Sequence, residues 1–295
     1  MREPVGFFTD TSVCIGCKAC QVACHQWNDL PAWEGTNAAD AKRVNLPLLS
    51  GNSYDNTGSF SDVNWRHVKF IEFFSDDLNR SEAAWLMMSD VCKHCVNAPC
   101  LEVCPTGAIL RTEFDTVYIN EPACNGCRDC VSACPFGVIH MSTNPAKLVA
   151  QKCTFCYDRL KNDLTPACAQ ACPTQSIQFG TVRELRSKAE ARVQRLQKQG
   201  VKNAQLYGAD DKVLGGLNSF YLLLDRPEAY GLPANPKLPS RTVPFSSFFS
   251  ILTSMFAALG LLFAFRSRTK GGTEEEAIPR PRFLDRAKLF ARRKS

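Results

Sequence analysis

Cys124-Asn125-Gly126-Cys127-Arg128-Asp129-Cys130-Val131-Ser132-Ala133-Cys134-Pro135 is the stretch on which the reading of this 295-residue chain turns. Four cysteines fall within eleven residues at the spacing C-x2-C-x2-C-x3-C, and the same spacing recurs at Cys14, Cys17, Cys20 and Cys24. Two further groups widen one gap of the pattern. Cys92, Cys95, Cys100 and Cys104 read C-x2-C-x4-C-x3-C, and Cys153, Cys156, Cys168 and Cys172 read C-x2-C-x11-C-x3-C. The sixteen cysteines are used up in four groups of four, with none left over.

Soft sulfur donors suit iron, each iron of a cubane cluster takes one terminal ligand, and the tighter spacing is the one by which bacterial ferredoxins hold such clusters. Sixteen thiolates therefore match four 4Fe-4S clusters. Disulfides fit poorly, because neighbouring cysteines so close along the chain strain a local bridge. Structural zinc usually draws its thiolates from two separated pairs, whereas four crowded on one loop surround something larger than one ion.

A second regularity is Cys-Pro-x-x-x-Ile, at Cys104-Pro105 to Ile109, Cys134-Pro135 to Ile139 and Cys172-Pro173 to Ile177. In two-cluster ferredoxins three cysteines of a group wrap one cube and the fourth crosses to the other. Proline fixes the backbone at that crossing, and the isoleucine is expected to open a strand. Ala108 to Arg111 and Thr116 to Ile119 flank Asp115 like a hairpin. The first group departs from the pattern, with His25 after Cys24. Crossing implies that groups act in pairs, and spacing does not choose the pairs: Cys104 to Cys124 is 20 residues and Cys134 to Cys153 is 19.

The run from Val13 to Cys20, the repeated Cys-Pro, and Lys152-Cys153-Thr154-Phe155-Cys156-Tyr157-Asp158-Arg159 resemble the four-cluster beta subunits of molybdenum or tungsten oxidoreductases. Gln205-Leu206-Tyr207-Gly208 and Tyr230-Gly231-Leu232-Pro233 are similar to the membrane-bound formate dehydrogenase branch, and the resemblance covers roughly residues 5–265. It implies an α+β fold of two nested ferredoxin-like units with insertions, plus one C-terminal transmembrane helix. It also implies a pairing: Cys14, Cys17, Cys20 and Cys172 (quartet A); Cys24, Cys153, Cys156 and Cys168 (quartet B); Cys92, Cys95, Cys100 and Cys134 (quartet C); Cys104, Cys124, Cys127 and Cys130 (quartet D). Nitrate reductase beta subunits are similar too, but replace one thiolate; none is missing here.

The remaining chain is read by pattern. Residues 1–180 are expected to form the cluster domain, with 25–91 as an insertion shaped for a partner and a strand from Trp65 to Phe74. In 181–241 an amphipathic helix runs from Val182 to Gln199, with Val182, Leu185, Ala189, Val193 and Leu196 on one face and Gly200 at its end. No charge occurs from Thr242 to Phe265, a length of roughly 36 Å as helix, enough to cross a bilayer core. Ser246, Ser250, Ser254 and Ala258 form a small-residue stripe suited to packing on a cytochrome b-like subunit.

Residues 266–295 carry ten Lys or Arg and four Asp or Glu, which equals the whole formal excess of +6. Positive flanks stay cytoplasmic, so the cluster domain is expected outside. The balanced cluster domain argues against nucleic-acid binding. Met1 to Thr11 lacks an export pattern, and the expectation is export in complex with a partner bearing a twin-arginine signal.

No dinucleotide fingerprint or P-loop is present, and His25, His67, His94 and His140 read as surface or hydrogen-bonding groups rather than ligands. Lys18, Lys93, Arg128 and Lys152 lie in or beside the cysteine loops, where positive charge raises cluster potentials. The expectation is a non-catalytic electron carrier. Its partners would be a molybdopterin catalytic subunit oxidising formate, and a cytochrome b and quinone in the membrane. The alternatives are the corresponding subunit of a membrane hydrogenase and a structural metal-binding protein.

Overall fold

The architecture comes from a computed structural model that describes residues 2–31, 54–55, 57–73, 84–144 and 146–270. Much of the expected insertion and the basic tail beyond residue 270 lie outside these residues. The chain divides into two units, residues 1–242 and 243–295.

In the first unit, strand β1 (Val5–Asp10) leads to the first cysteine group and helix α1 (Ala19–Trp27). Strands β2 (Arg66–Phe73) and β3 (Ala84–Val91) lead to the second group and α2 (Pro99–Glu102). The hairpin β4 (Ile109–Arg111) and β5 (Val117–Ile119) precedes the third group and α3 (Asp129–Ala133). The pair β6 (His140–Met141) and β7 (Ala150–Gln151) precedes the fourth, with α4 (Tyr157–Lys161) and α5 (Ala167–Gln170). Then come β8 (Ile177–Thr181), α6 (Val182–Lys198), β9 (Gln205–Tyr207) and β10 (Ser219–Leu223). Every cysteine group thus follows a strand and carries its own short helix.

Four strands form the main sheet in the order β8-β1-β10-β9. β1 pairs antiparallel with β8 and parallel with β10, Phe8 standing opposite Phe220. Ser219 to Leu223 is buried at every position, as befits a strand covered on both faces rather than an alternating one. β10 therefore unites the last part of the unit with its first strand.

Phe7 of β1 stacks on Phe155 of the fourth cysteine group at 4.0 Å between centroids, and His94 of the second group meets Phe155 edge-on at 4.8 Å. These two ring contacts join the sheet to two cysteine loops. α6 covers β1 and β8 with Leu185 and Ala189 buried, and Thr181 caps it by accepting the Glu184 N–H at 3.3 Å. The three isoleucines of the Cys-Pro repeat are all buried, and Ile109 and Ile177 open strands while Ile139 immediately precedes one.

The described residues of the second unit form one helix. α7 (Pro239–Lys270) begins at the end of the first unit, and its stretch Phe248–Ser267 has a mean hydropathy of 2.1. It is long and apolar enough to cross a membrane.

Candidate metal centres

Each C-x2-C loop bends through left-handed backbone at the residue before its second cysteine: Gly16 (φ +66°), His94 (+45°), Gly126 (+74°) and Phe155 (+62°). Lys18 (+61°) and Arg128 (+70°) repeat that conformation just after the second cysteine of the first and third groups. Such alternation turns successive N–H groups to one concave side, which favours an anionic occupant. Glycine at position 16 has a second reason, because a Cβ there would lie 2.6 Å from Phe70 Cε1.

After the fourth cysteine the chain makes one turn three times over. The N–H groups of Gly107, Gly137 and Gln175 donate to the carbonyls of Cys104, Cys134 and Cys172, at 3.4, 3.3 and 3.2 Å. The first group differs because α1 does not stop at Cys24 but continues through His25 to Trp27. A proline after Cys24 would remove a helix hydrogen bond there.

These loops bring cysteines together across groups. Cys14, Cys17 and Cys20 line a small hollow with Cys172 from the opposite end of the motif series. Cys92, Cys95 and Cys100 line a second with Cys134. Cys124, Cys127 and Cys130 line a third with Cys104. Cys24 is surrounded by Cys153, Cys168 and Cys156, whose charges act on it. Among the described residues no three His, Cys, Asp or Glu side chains converge on a single-ion site. Four soft donors spread around a hollow of this kind fit a 4Fe-4S group.

Cysteines of different quartets lie within electrostatic reach of one another: Cys20 of quartet A feels the charge of Cys168 in B, Cys153 of B that of Cys92 in C, and Cys100 of C that of Cys130 in D. Quartet B is wholly buried, whereas Cys17 of A and Cys127 of D are exposed.

Burial pushes the Cys20 thiol up to about 11 and the Cys100, Cys153 and Cys156 thiols up to about 12. Burial acts the same way on Cys104, but hydrogen bonds from Ile109, Thr106 and Ala108 outweigh it and hold that thiol below its ordinary value.

Among the cations, Lys93 is fully buried and bonds to Asp90 and to the Val91 carbonyl. Lys69 reaches the same Asp90 at 2.8 Å, and Tyr221 donates its hydroxyl to it at 3.0 Å. Lys152 is buried with its Nζ donating to the carbonyls of Val117 at 2.5 Å and Cys153 at 3.0 Å. Lys18 pairs with Asp55 at 3.8 Å, and Arg128 is exposed.

The histidines serve the framework. His94 Nδ1 accepts the Val117 N–H at 3.0 Å, and burial, followed by Lys152, holds that ring well below its ordinary pKa. Nε2 of His25 and of His140 lies 2.9 and 3.2 Å from the Pro31 and Gly137 carbonyls, and His67 Nδ1 lies 3.1 Å from Thr57 Oγ1. Arg66 and Asp90, two buried charges beside the cysteine loops, carry no sequence signal that singles them out.

Residues 13–108 and 83–182 each match a family model described as a 4Fe-4S dicluster domain. The formate dehydrogenase-O iron-sulfur subunit of Escherichia coli (strain K12) is 37% identical over 248 residues, which is 83% of this chain and 75% of that protein. The chain belongs to the formate dehydrogenase iron-sulfur subunit family. The Haemophilus influenzae formate dehydrogenase iron-sulfur subunit is likewise 37% identical, over 78% of this chain and 68% of its own length. The thiosulfate reductase electron transfer subunit of Salmonella typhi is 37% identical over 59% of this chain and 74% of its own. This iron-sulfur subunit carries 4Fe-4S clusters and transfers electrons in an oxidoreductase complex whose catalysis belongs to another subunit.

Proposed function

We propose that the chain holds four 4Fe-4S clusters, one per quartet. In this reading it passes electrons from a molybdopterin subunit oxidising formate to a cytochrome b-type subunit and quinone in the membrane. The observation that carries the proposal is the electrostatic reach between cysteines of different quartets, which supports a row A, B, C, D with exposed cysteines only in the first and last. When bound, a cluster of this kind supplies a one-electron redox centre.

The protein's own part is to hold, space and insulate. Phe7, Phe155 and Phe220 are fully buried and keep water from the interior of the unit. The left-handed loops fix the cysteines, and the Cys-Pro turns carry the fourth thiol of a group into the neighbouring quartet. Rigid packing of this sort suits electron transfer, because little rearrangement accompanies each change of charge.

For the anchor, α7 supports a single membrane crossing, and the ten basic residues after residue 265 favour a cytoplasmic C-terminus with the clusters outside. Ser254 donates its hydroxyl to the Ser250 carbonyl at 2.7 Å within the helix, so this polar group is satisfied without water. The stripe of small side chains supports close approach by a partner helix.

Anaerobic purification of the complex followed by metal analysis tests the reading. One iron per cysteine, molybdenum or tungsten in the partner, and appearance of reduced-cluster EPR signals on adding formate are the outcomes that support it. Far less iron in fully handled material, or signals that respond to hydrogen and not formate with nickel present, would refute it.

A further inference from the structure

Arg66 is among the largest fully buried side chains of the described residues, 1% exposed, and it belongs to β2 rather than to any cysteine group. Its Nη1 donates to Ser89 Oγ at 2.9 Å, and Ser89 Oγ in turn lies 3.1 Å from Cys20 Sγ. Its guanidinium carbon stands 5.2 Å from the centroid of the Phe7 ring. Nε and Nη2 are buried without a hydrogen-bond partner, and among the described residues no carboxylate pairs with the group.

A buried cation in that position is costly unless an anion answers it. Another buried cation of this region, Lys93, has its anion in Asp90. The cysteines that act electrostatically on Arg66 belong to two quartets, Cys20 of A and Cys24, Cys153 and Cys168 of B, and as cluster ligands they are anionic thiolates. An arginine guanidinium does not give up its proton in a protein, so the side chain is a fixed positive charge.

We infer that Arg66 is the shared counter-ion of quartets A and B, a positioning residue that raises the reduction potential of what those quartets hold. The inference rests on the reading of the quartets as cluster sites. Reduction adds one negative charge to a site, and a fixed cation nearby favours the more negative state. Nε and Nη2 of Arg66 stay open, and no carboxylate among the described residues cancels its charge. Through Ser89, the same side chain orients a hydroxyl toward Cys20.

The test is potentiometric EPR titration of the anaerobically purified complex, with iron content measured on the same samples, for wild type, Arg66→Gln and Arg66→Lys. In iron-replete Arg66→Gln, one of the cluster signals should become at least tenfold harder to reduce, a fall of 59 mV for a one-electron couple. Arg66→Lys should recover most of that shift. Unchanged potentials in an iron-replete Arg66→Gln protein would overturn the inference. If Arg66→Gln does not load iron while Arg66→Lys does, charge is what the site requires and the inference stands. If neither loads, shape rather than charge is needed and it falls. Wild-type protein without cluster signals would instead defeat the prior reading of the quartets, a result separable from all of these.

Discussion

Trp27 Nε1 donates a hydrogen bond to Asp158 Oδ2 at 2.9 Å, joining the end of α1 to the start of α4 across 131 residues of sequence. Arg159 adds to the same clasp, its guanidinium carbon 4.1 Å from the Trp27 ring centroid. The first and fourth cysteine groups are thereby held against each other next to quartet B, to which both contribute. Trp27→Ala should remove the hydrogen bond and the ring contact, costing on the order of 1–2 kcal/mol. Anaerobic thermal unfolding should show the drop, with Trp27→Phe intermediate; a melting point equal to wild type would count against a clasp.

Nested assignment of the cysteines makes a prediction that a local assignment does not. Cys172 lines the hollow of Cys14, Cys17 and Cys20. Cys172→Ser should therefore alter the same EPR signal as Cys14→Ser, and leave the signal changed by Cys153→Ser intact. A Cys172→Ser spectrum that matched Cys153→Ser would show that the fourth group closes on itself.

Asp90 is 1% exposed between Lys93 and Lys69. Burial raises its pKa, but the two ammonium groups outweigh burial and hold the carboxyl well below the usual range. Asp90→Asn leaves Lys93 buried without its anion and should cost about 3–5 kcal/mol. A depressed folded-state pKa means that the stabilisation is present above the unfolded value of about 3.9 and is lost as pH falls below it. Denaturant titrations should show a constant gap between wild type and variant from neutral pH to about 5, narrowing below about 4. A gap that widens in acid would contradict this sign.

Leucine at both Ser250 and Ser254 would fill the small-residue face of α7 and keep it apolar. The double variant should still partition with membranes but lose much of its co-purification with a cytochrome b-type subunit. Undiminished co-purification would remove the stripe from consideration as a contact surface.

The local features of this protein lay open in its sequence, and the long-range ones did not. Cysteine spacing marked every ligand loop, and the alternation around Asp115 marked the hairpin in which Ile109 pairs with Ile119. The Val182 helix was visible from its apolar stripe and from Gly200 at its end, whereas its Thr181 cap emerged only with the fold. Parallel pairing of Phe8 with Phe220 was not visible, because partners more than two hundred residues apart leave no joint trace in either segment. Arg66 was hidden for a similar reason. Arginine in a strand of mixed polarity reads as a surface residue, and only the folded chain shows that it is buried within electrostatic reach of Cys20, Cys24, Cys153 and Cys168. The missing proline after Cys24 was seen as a departure, while its cause, the onward run of α1 to Trp27, belongs to tertiary structure.

Exposure among the cysteines is confined to Cys17 and Cys127, which belong to quartets A and D, the two termini of the proposed row. Dioxygen and peroxide therefore reach the two termini before anything between them. A circuit broken at a terminus carries no current however sound its middle, so brief exposure to air should abolish turnover while most of the colour survives. Any subunit seated over either terminus is then a shield against air as well as an electrical contact.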